Sequence, residues 1–159
     1  MSDPMPVAPG RHLLRLSHWA LPVILLVGLV VGIVSADDYG SSWDEKVNFR
    51  AGRDALGTFL SEQRYQSYLH NGGVTLVHHG PSYFMVYWLA SKGLEAAIPS
   101  WDPAAARHFT NYLTFLLAIG CMYILARRML PDKVAWVVPA LFATQPLLYG
   151  HAFINQKDM

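Results

Sequence analysis

The sequence predicts an all-α, polytopic membrane protein with three transmembrane helices and amphipathic juxtamembrane helices in its first outward loop. Composition is the first reason: 53% of the 159 residues are apolar and 14% are charged, whereas about one-quarter of a soluble domain is charged. The second reason is that residues 19–36, 109–126 and 134–156 contain no Asp, Glu, Lys or Arg. These lengths suit helices that cross a bilayer, which need about 17 to 25 mostly apolar residues.

Charge and cysteine content exclude two classes of function. The formal net charge is +1, which is too small for the basic field that nucleic-acid-binding proteins use, so no nucleic acid partner is expected. Cys121 is the single cysteine in the sequence. A disulfide framework and a cluster of thiolate metal ligands are therefore both excluded.

Basic residues between the apolar stretches predict the topology. They lie before the first stretch and between the second and third, at Arg11, Arg15, Arg127, Arg128 and Lys133. Because cytoplasmic loops are enriched in Lys and Arg, both groups are expected in the cytoplasm. The predicted order is a cytoplasmic N-terminus (1–18), a span (19–36), an extracytoplasmic loop (37–108), a span (109–126), a cytoplasmic loop (127–133), a span (134–154) and the start of a second outward loop (155–159).

The first span also has an alternative interpretation as a secretory signal peptide. Val34-Ser35-Ala36 is a small-residue cleavage site that precedes Asp37. The apolar run is longer than the 7 to 15 residues that are typical of such peptides, which favours an uncleaved anchor. Either interpretation sends Asp37 outward.

The first outward loop is expected to contain helices that lie along the membrane. Apolar and charged residues alternate with helical spacing over residues 47–64, which predicts one amphipathic helix. The apolar run of residues 83–90 is too short to cross, and its aromatic content is typical of the headgroup boundary. If residues 83–98 crossed as a fourth span, the Arg127-Arg128 pair would move outside, so the charge bias favours three spans.

Asp44 and Glu45 form an acidic pair shortly after the first span. A carboxylate at a boundary of low polarity has a raised proton affinity and can act as a general base on a hydroxyl. The alternative is that Asp44 caps the following helix, with Glu45 in the first helical turn. Capping is the more common role of such a pair.

A second polar group follows the third span, on the side of the membrane that also holds Asp44. Lys157 could neutralise a phosphate, and Asp158 could orient it or hold a divalent cation. Both could equally be ordinary interfacial residues. Pro139 and Pro146 predict a kinked or locally unwound third span.

The histidines do not have the spacing of a recognised zinc signature. Hydrogen-bonding roles are therefore expected for them rather than metal ligation. The residues considered are His70, His78, His79, His108 and His151.

Taken in order, these segments resemble the GT-C membrane glycosyltransferases, in the bacterial branch akin to protein O-mannosyltransferases and aminoarabinose transferases. The resemblance covers nearly the whole chain and rests on the order and sidedness of its segments. They are Trp43-Asp44-Glu45 in the first outward loop, His79-Gly80-Pro81 before the aromatic stretch, Arg107-His108 at the start of the second span, residues 123–128 at its end, and residues 146–158.

The resemblance implies a bacterial inner-membrane enzyme with its active face outward. It would move a sugar from a polyprenyl-phosphate donor to an extracytoplasmic acceptor, with inversion at the anomeric carbon, in contact with membrane lipid. By the same resemblance, Asp44 is the catalytic base and Glu45 its acidic partner. Arg107 and Lys157 bind the donor phosphate beside Asp158. The resemblance leaves open whether a divalent cation takes part.

The family has more spans than three, so the chain is expected to be the N-terminal portion of a longer enzyme and inactive alone. An alternative from another class is a noncatalytic membrane protein, such as a transporter fragment or an assembly subunit, whose polar loop binds a partner. Asp44 and Glu45 would then act as a helix cap only.

Overall fold

The computed structural model describes residues 11–71 and 80–155, and within these ranges the chain forms helices and no strand. This confirms the all-α class. The helices are α1 Arg11–Ser35, α2 Glu45–Thr58, α3 Glu62–Asn71, α4 Pro81–Ala97, α5 Pro103–Met129, α6 Val137–Ala143 and α7 Pro146–Ile154.

The loop before α4 contains two described helices where the sequence predicted one. The chain turns between α2 and α3, where the Ser61 hydroxyl accepts a hydrogen bond from the backbone N–H of Arg64 at 3.3 Å. A serine in this position starts a new helix. Phe59 and Leu60, which were predicted to lie on one apolar helix face, are instead exposed at this turn.

The longest helix, α5, starts from clear local signals. The Asp102 carboxylate accepts a hydrogen bond from the N–H of Ala104 at 2.7 Å, and Pro103 occupies the first helical position, where its missing N–H costs nothing. The 27 residues of α5 extend about 40 Å. Among the described helices, α5 alone is long and apolar enough to cross a membrane.

The other two predicted spans have a different form in the structure. The third is broken, because α6 and α7 meet at an angle of 61° and satisfy the length of a span only when they are taken together. Pro146 begins α7 and removes a backbone donor at the break. The apolar part of α1 described by the structure, Trp19–Ser35, is shorter than a full span.

Small residues let α1 approach α5 closely. A Cβ atom added to Gly32 would lie 2.4 Å from Cδ1 of Tyr112, and one added to Gly28 would lie 2.7 Å from Cδ2 of Leu116. Residues four apart share one helix face. Glycines at this spacing are typical of helix pairs that pack within membranes.

One end of the bundle collects three chain segments. Ala36, which follows α1, packs against Phe109 near the start of α5. At the other side of α5, the Asn111 amide donates to the Ala152 carbonyl near the end of α7 at 2.9 Å. We call this end of the bundle the loop end, because the chain between α1 and α5 connects there.

Helix α4 contacts the first half of α5. The Tyr83 hydroxyl donates to the Asn111 side-chain oxygen at 2.6 Å, and the Ser91 hydroxyl donates to the Thr110 hydroxyl at 3.1 Å. Helix α2 packs against α4 through a cluster of Ala51, Ala55 and Phe84. The loop helices therefore form a small layer at the loop end.

Substituting Gly52 with alanine is expected to lower the free energy of unfolding by about 1–3 kcal/mol. The added Cβ would lie 2.0 Å from the Phe84 carbonyl oxygen, so the backbones of α2 and α4 would have to separate. Gly93→Ala in α4 is the matched control, because its Cβ would meet nothing within 4 Å and alanine favours a helix by up to ~1 kcal/mol. Unfolding in mixed micelles measures both, and a neutral Gly52→Ala would contradict the close packing.

Candidate functional site

A buried ionic cluster joins the start of α2 to α5. The Glu45 side chain is completely buried, and one carboxylate oxygen accepts a hydrogen bond from Nε of Arg107. The other oxygen lies 3.2 Å from Nε2 of His108. Nδ1 of the same ring lies 3.0 Å from the Ala36 carbonyl. We call Glu45, Arg107 and His108 the buried triad.

The partners of His108 define its protonation in this geometry. A carboxylate and a backbone carbonyl are both acceptors, so each ring nitrogen must donate. The ring then carries a positive charge, and with Arg107 it offsets the charge of Glu45. The triad links the end of α1, the start of α2 and the start of α5.

The Glu45 carboxyl is held in its charged form. Burial acts to raise its pKa, but the hydrogen bonds from His108 and Arg107, together with their positive charges, outweigh burial and hold the pKa below the ordinary value of 4.5. Charge-assisted hydrogen bonds favour the ionised carboxylate in this way. Because the Glu45 carboxylate is hydrogen-bonded to both Arg107 and His108, it is suited to holding these two side chains in position.

The guanidinium of Arg107 is also packed against an aromatic ring. Its central carbon lies 5.3 Å from the centre of the Phe49 ring, and the Lys92 ammonium lies 5.6 Å from the same centre. Cation–π contacts of this kind stabilise positive charge next to apolar surface. Two cations thus lie beside one ring at the loop end.

A cleft of about 280 Å³ brings Asp44 next to the end of α7. We call it the Asp44 cleft. It is lined by Ser42, Trp43, Asp44, Asn48, His151, Ile154 and Asn155. Residues from the segment between α1 and α2 and from the end of the predicted third span therefore share one concave surface, although more than 100 positions separate them.

Asp44 occupies the N-cap position of α2, yet its side chain accepts no capping hydrogen bond. The residue has helical dihedral angles, φ −85° and ψ −17°, whereas a capping residue has extended ones. The capping interpretation is therefore wrong for Asp44. Glu45 does lie in the first turn of α2, as that interpretation expected.

The structure brings together some of the predicted site residues. Glu45 and Arg107 are in direct contact, and Asp44 lies one residue before Glu45 in the wall of the cleft. Lys157 and Asp158 lie outside the described residues, so their predicted roles at the donor phosphate stay predictions. His78 and His79 also lie outside the described residues, so the hydrogen-bonding roles predicted for them stay predictions.

Two histidines of the site form hydrogen bonds, as the sequence predicted, but with partners that the sequence did not identify. His108 belongs to the buried triad, and His151 lines the Asp44 cleft, where its Nδ1 accepts a hydrogen bond from the Asn155 amide at 2.9 Å. The four-residue spacing of His151 and Asn155 places both on one helix face. This spacing is the signal in the sequence that could have predicted their hydrogen bond. Within residues 11–71 and 80–155, no group of three His, Cys, Asp or Glu side chains could hold a metal ion.

Comparison of the chain with protein-family models, with curated proteins and with solved structures finds no match. The resemblance to membrane glycosyltransferases therefore stays an interpretation of the sequence.

Proposed function

We propose that the chain crosses the membrane three times, through α1, α5 and the bent pair of α6 and α7. Apolar side chains that face outward support this arrangement, because soluble monomers rarely expose large contiguous apolar patches. They occur on all three segments, for example at Leu26, Val30, Leu117, Leu125, Leu141 and Leu147. Arg127, Arg128 and Lys133 would then lie in the cytoplasm and the loop end outside.

The break between α6 and α7 is compatible with a membrane location. Backbone polar groups must be satisfied inside a bilayer, and nearby Ser or Thr hydroxyls can do this. The Thr144 hydroxyl donates to the Ala140 carbonyl at 2.9 Å. The N–H of Tyr149 reaches the Gln145 carbonyl at 2.9 Å, so hydrogen bonding continues on both sides of the break.

We propose further that the chain is the N-terminal portion of an integral membrane glycosyltransferase that uses a polyprenyl-phosphate sugar donor. One observation carries this proposal: the Asp44 cleft unites the first loop with the end of α7 at the loop end of the bundle. A lipid-borne donor keeps its isoprenoid in hydrocarbon and presents its sugar at the membrane surface. A cleft at the loop end is in the correct place to receive that sugar.

The residue types suit a single displacement at the anomeric carbon. Asp44 takes the proton of the acceptor hydroxyl as that hydroxyl attacks. The leaving group is a phosphate, which needs positive charge, and this comes from Arg107 and Lys157, with Asp158 orienting the lysine or a divalent cation. Attack from the face opposite the phosphate inverts the anomeric centre.

Glu45 and His108 hold the residues that carry out this chemistry in position. The buried triad fixes the backbone immediately after Asp44 and holds Nε of Arg107. Positioning of this kind matters because small displacements of a catalytic group cost large factors in rate. Within the acidic pair, Asp44 is thus the base and Glu45 its positioning partner.

The topology is tested by cysteine labelling in a Cys121→Ser background of the complete protein. Ser41→Cys and Ser100→Cys are expected to react with a membrane-impermeant thiol reagent from outside, and Asp132→Cys only from the cytoplasm. All three native side chains are exposed. Reaction of Ser100→Cys from the cytoplasm alone would show that α4 crosses the membrane, which would remove the outward site.

The activity is tested with the complete protein in lipid vesicles. Transfer is expected from a polyprenyl-phosphate-linked pentose or hexose and not from the corresponding nucleotide sugar, with inverted configuration in the product. Nuclear magnetic resonance of the anomeric proton reports that configuration. Correctly inserted protein that transfers no sugar from any lipid-phosphate donor would favour the noncatalytic alternative, a membrane protein whose loop binds a partner.

A further inference from the structure

The geometry points to His151 as a hydrogen-bond donor that binds a sugar hydroxyl in the Asp44 cleft, a role that rests on the proposed function. The argument begins with the Asn155 amide, which donates to Nδ1 of His151 at 2.9 Å. A ring nitrogen that accepts a hydrogen bond carries no proton. The proton of the neutral ring therefore sits on Nε2, which is a hydrogen-bond donor.

The cleft then offers one donor and one acceptor from two different segments. Asp44 comes from the first loop and His151 from α7, and both line the same space. A hydroxyl group donates one hydrogen bond and accepts others, so sugar hydroxyls can accept from His151 and donate to a carboxylate oxygen of Asp44, which has several acceptor sites. The phosphodiester of a polyprenyl-phosphate sugar only accepts, and the Asp44 carboxylate would repel its negative charge. The cleft is therefore a site for sugar hydroxyls, and the phosphate lies elsewhere, toward Arg107.

The remaining walls fit a sugar ring. Trp43 lines the cleft while 93% of its surface is exposed, so its ring face is accessible. An aromatic ring offers a broad apolar face, which matches the C–H face of a pyranose or furanose. The cleft volume of about 280 Å³ is slightly below that of drug-sized ligand pockets, which begin at about 300 Å³, so the cleft suits one sugar unit.

The tautomer is tested directly by nitrogen-15 magnetic resonance of the histidines in the complete protein in lipid nanodiscs. The His151 signals, assigned by their loss in His151→Gln, are expected to show the proton on Nε2. Asn155→Leu leaves the ring in place, removes the bond that orients the proton, and should give a mixture of tautomers. A proton on Nδ1 in the wild type would overturn the inference.

Binding is tested with the same sample and with soluble probes. Methyl glycosides of mannose, glucose and arabinose are added, and inorganic phosphate serves as the control. At least one glycoside is expected to shift the Nε2 signal, whereas phosphate should not. No shift with any glycoside, or a shift with phosphate alone, would overturn the inference. A glycoside shift in protein that lacks transfer activity would leave the sugar site standing while the proposed reaction fails.

Kinetics of two amide variants separate a donor from a packing residue. His151→Gln keeps an N–H near the position of Nε2, whereas His151→Asn places its amide near the position of Nδ1. We expect His151→Asn to raise the KM for either the lipid donor or the acceptor about 3- to 10-fold, which corresponds to the loss of one hydrogen bond. We expect His151→Gln to have the wild-type KM. A raised KM for the lipid donor identifies the bound sugar as the donor's, and a raised KM for the acceptor identifies it as the acceptor's. Equal losses in both variants would show packing only and would overturn the inference.

Discussion

Asp44→Asn is expected to lower kcat for sugar transfer by about 10²- to 10⁴-fold, which is the usual contribution of general base catalysis. Asparagine keeps the size of the side chain but cannot take a proton from the acceptor hydroxyl. Folding of the variant is checked separately, by its unfolding midpoint in mixed micelles, so that a loss of rate is not confused with a loss of structure. The measurement is single-turnover transfer from a polyprenyl-phosphate sugar by the complete protein.

Asp54→Asn is the matched control for this substitution. Asp54 lies on the same helix but pairs with Arg53, away from the residues that line the Asp44 cleft. Its rate should equal that of the wild type. If Asp44→Asn transferred sugar at the wild-type rate while inserted and folded, Asp44 would not be the base.

Glu45→Gln should have the largest effect on stability and lower the free energy of unfolding by about 3–5 kcal/mol. The side chain is completely buried, and its charge compensates Arg107 and His108. Removing one member of a buried charged cluster leaves the others uncompensated in a medium of low polarity. Unfolding by a denaturing detergent in mixed micelles measures the loss.

Asp132→Asn is the control, since it also breaks an ion pair, to Arg127, but at a site where both side chains are about half exposed. Exposed pairs contribute little, so its stability should be close to that of the wild type. Equal stabilities of Glu45→Gln and wild type would contradict the importance of the buried triad.

The same carboxyl predicts how stability responds to acid. Its pKa is lowered in the folded protein from 4.5, so as the pH falls the unfolded chain binds the proton first. The contribution of Glu45 is therefore fully present above about pH 4.5 and is lost as the pH drops through the folded pKa. Unfolding followed between pH 6 and 3 should show this loss in the wild type and a weaker dependence in Glu45→Gln.

Local signals predicted much of the helical framework. The second apolar stretch, predicted as a span over residues 109–126, lies inside α5, which the structure begins earlier, at the Asp102 cap and the first-position Pro103. Pro146 predicted the break in the third span, because a proline removes a backbone donor within one turn of the chain. The single helix predicted over residues 47–64 was wrong, because a serine cap at Ser61 outweighs apolar periodicity.

The candidate site was predictable only in part. The acidic pair was visible as two adjacent carboxylates, with Asp44 predicted as the base and Glu45 as its partner, but nothing in the sequence showed that their surroundings differ. The structure separates them: Asp44 lies in the wall of a cleft, and Glu45 is buried between Arg107 and His108. Their different surroundings come from different helices, because α5 provides Arg107 and His108 to Glu45 and α7 provides His151 to the cleft.

By itself the sequence determined the all-α class, the apolar stretches and the break at Pro146, because apolar content and prolines act over a few neighbouring residues. The tertiary structure alone decided that His108 bonds to Glu45 across 63 positions and that His151 shares a cleft with Asp44. Such contacts depend on how whole helices pack, through close approaches such as that of Gly32 to Tyr112. The spacing of Gly28 and Gly32 marks a face suited to close packing, but no local pattern of residues specifies which helix it meets.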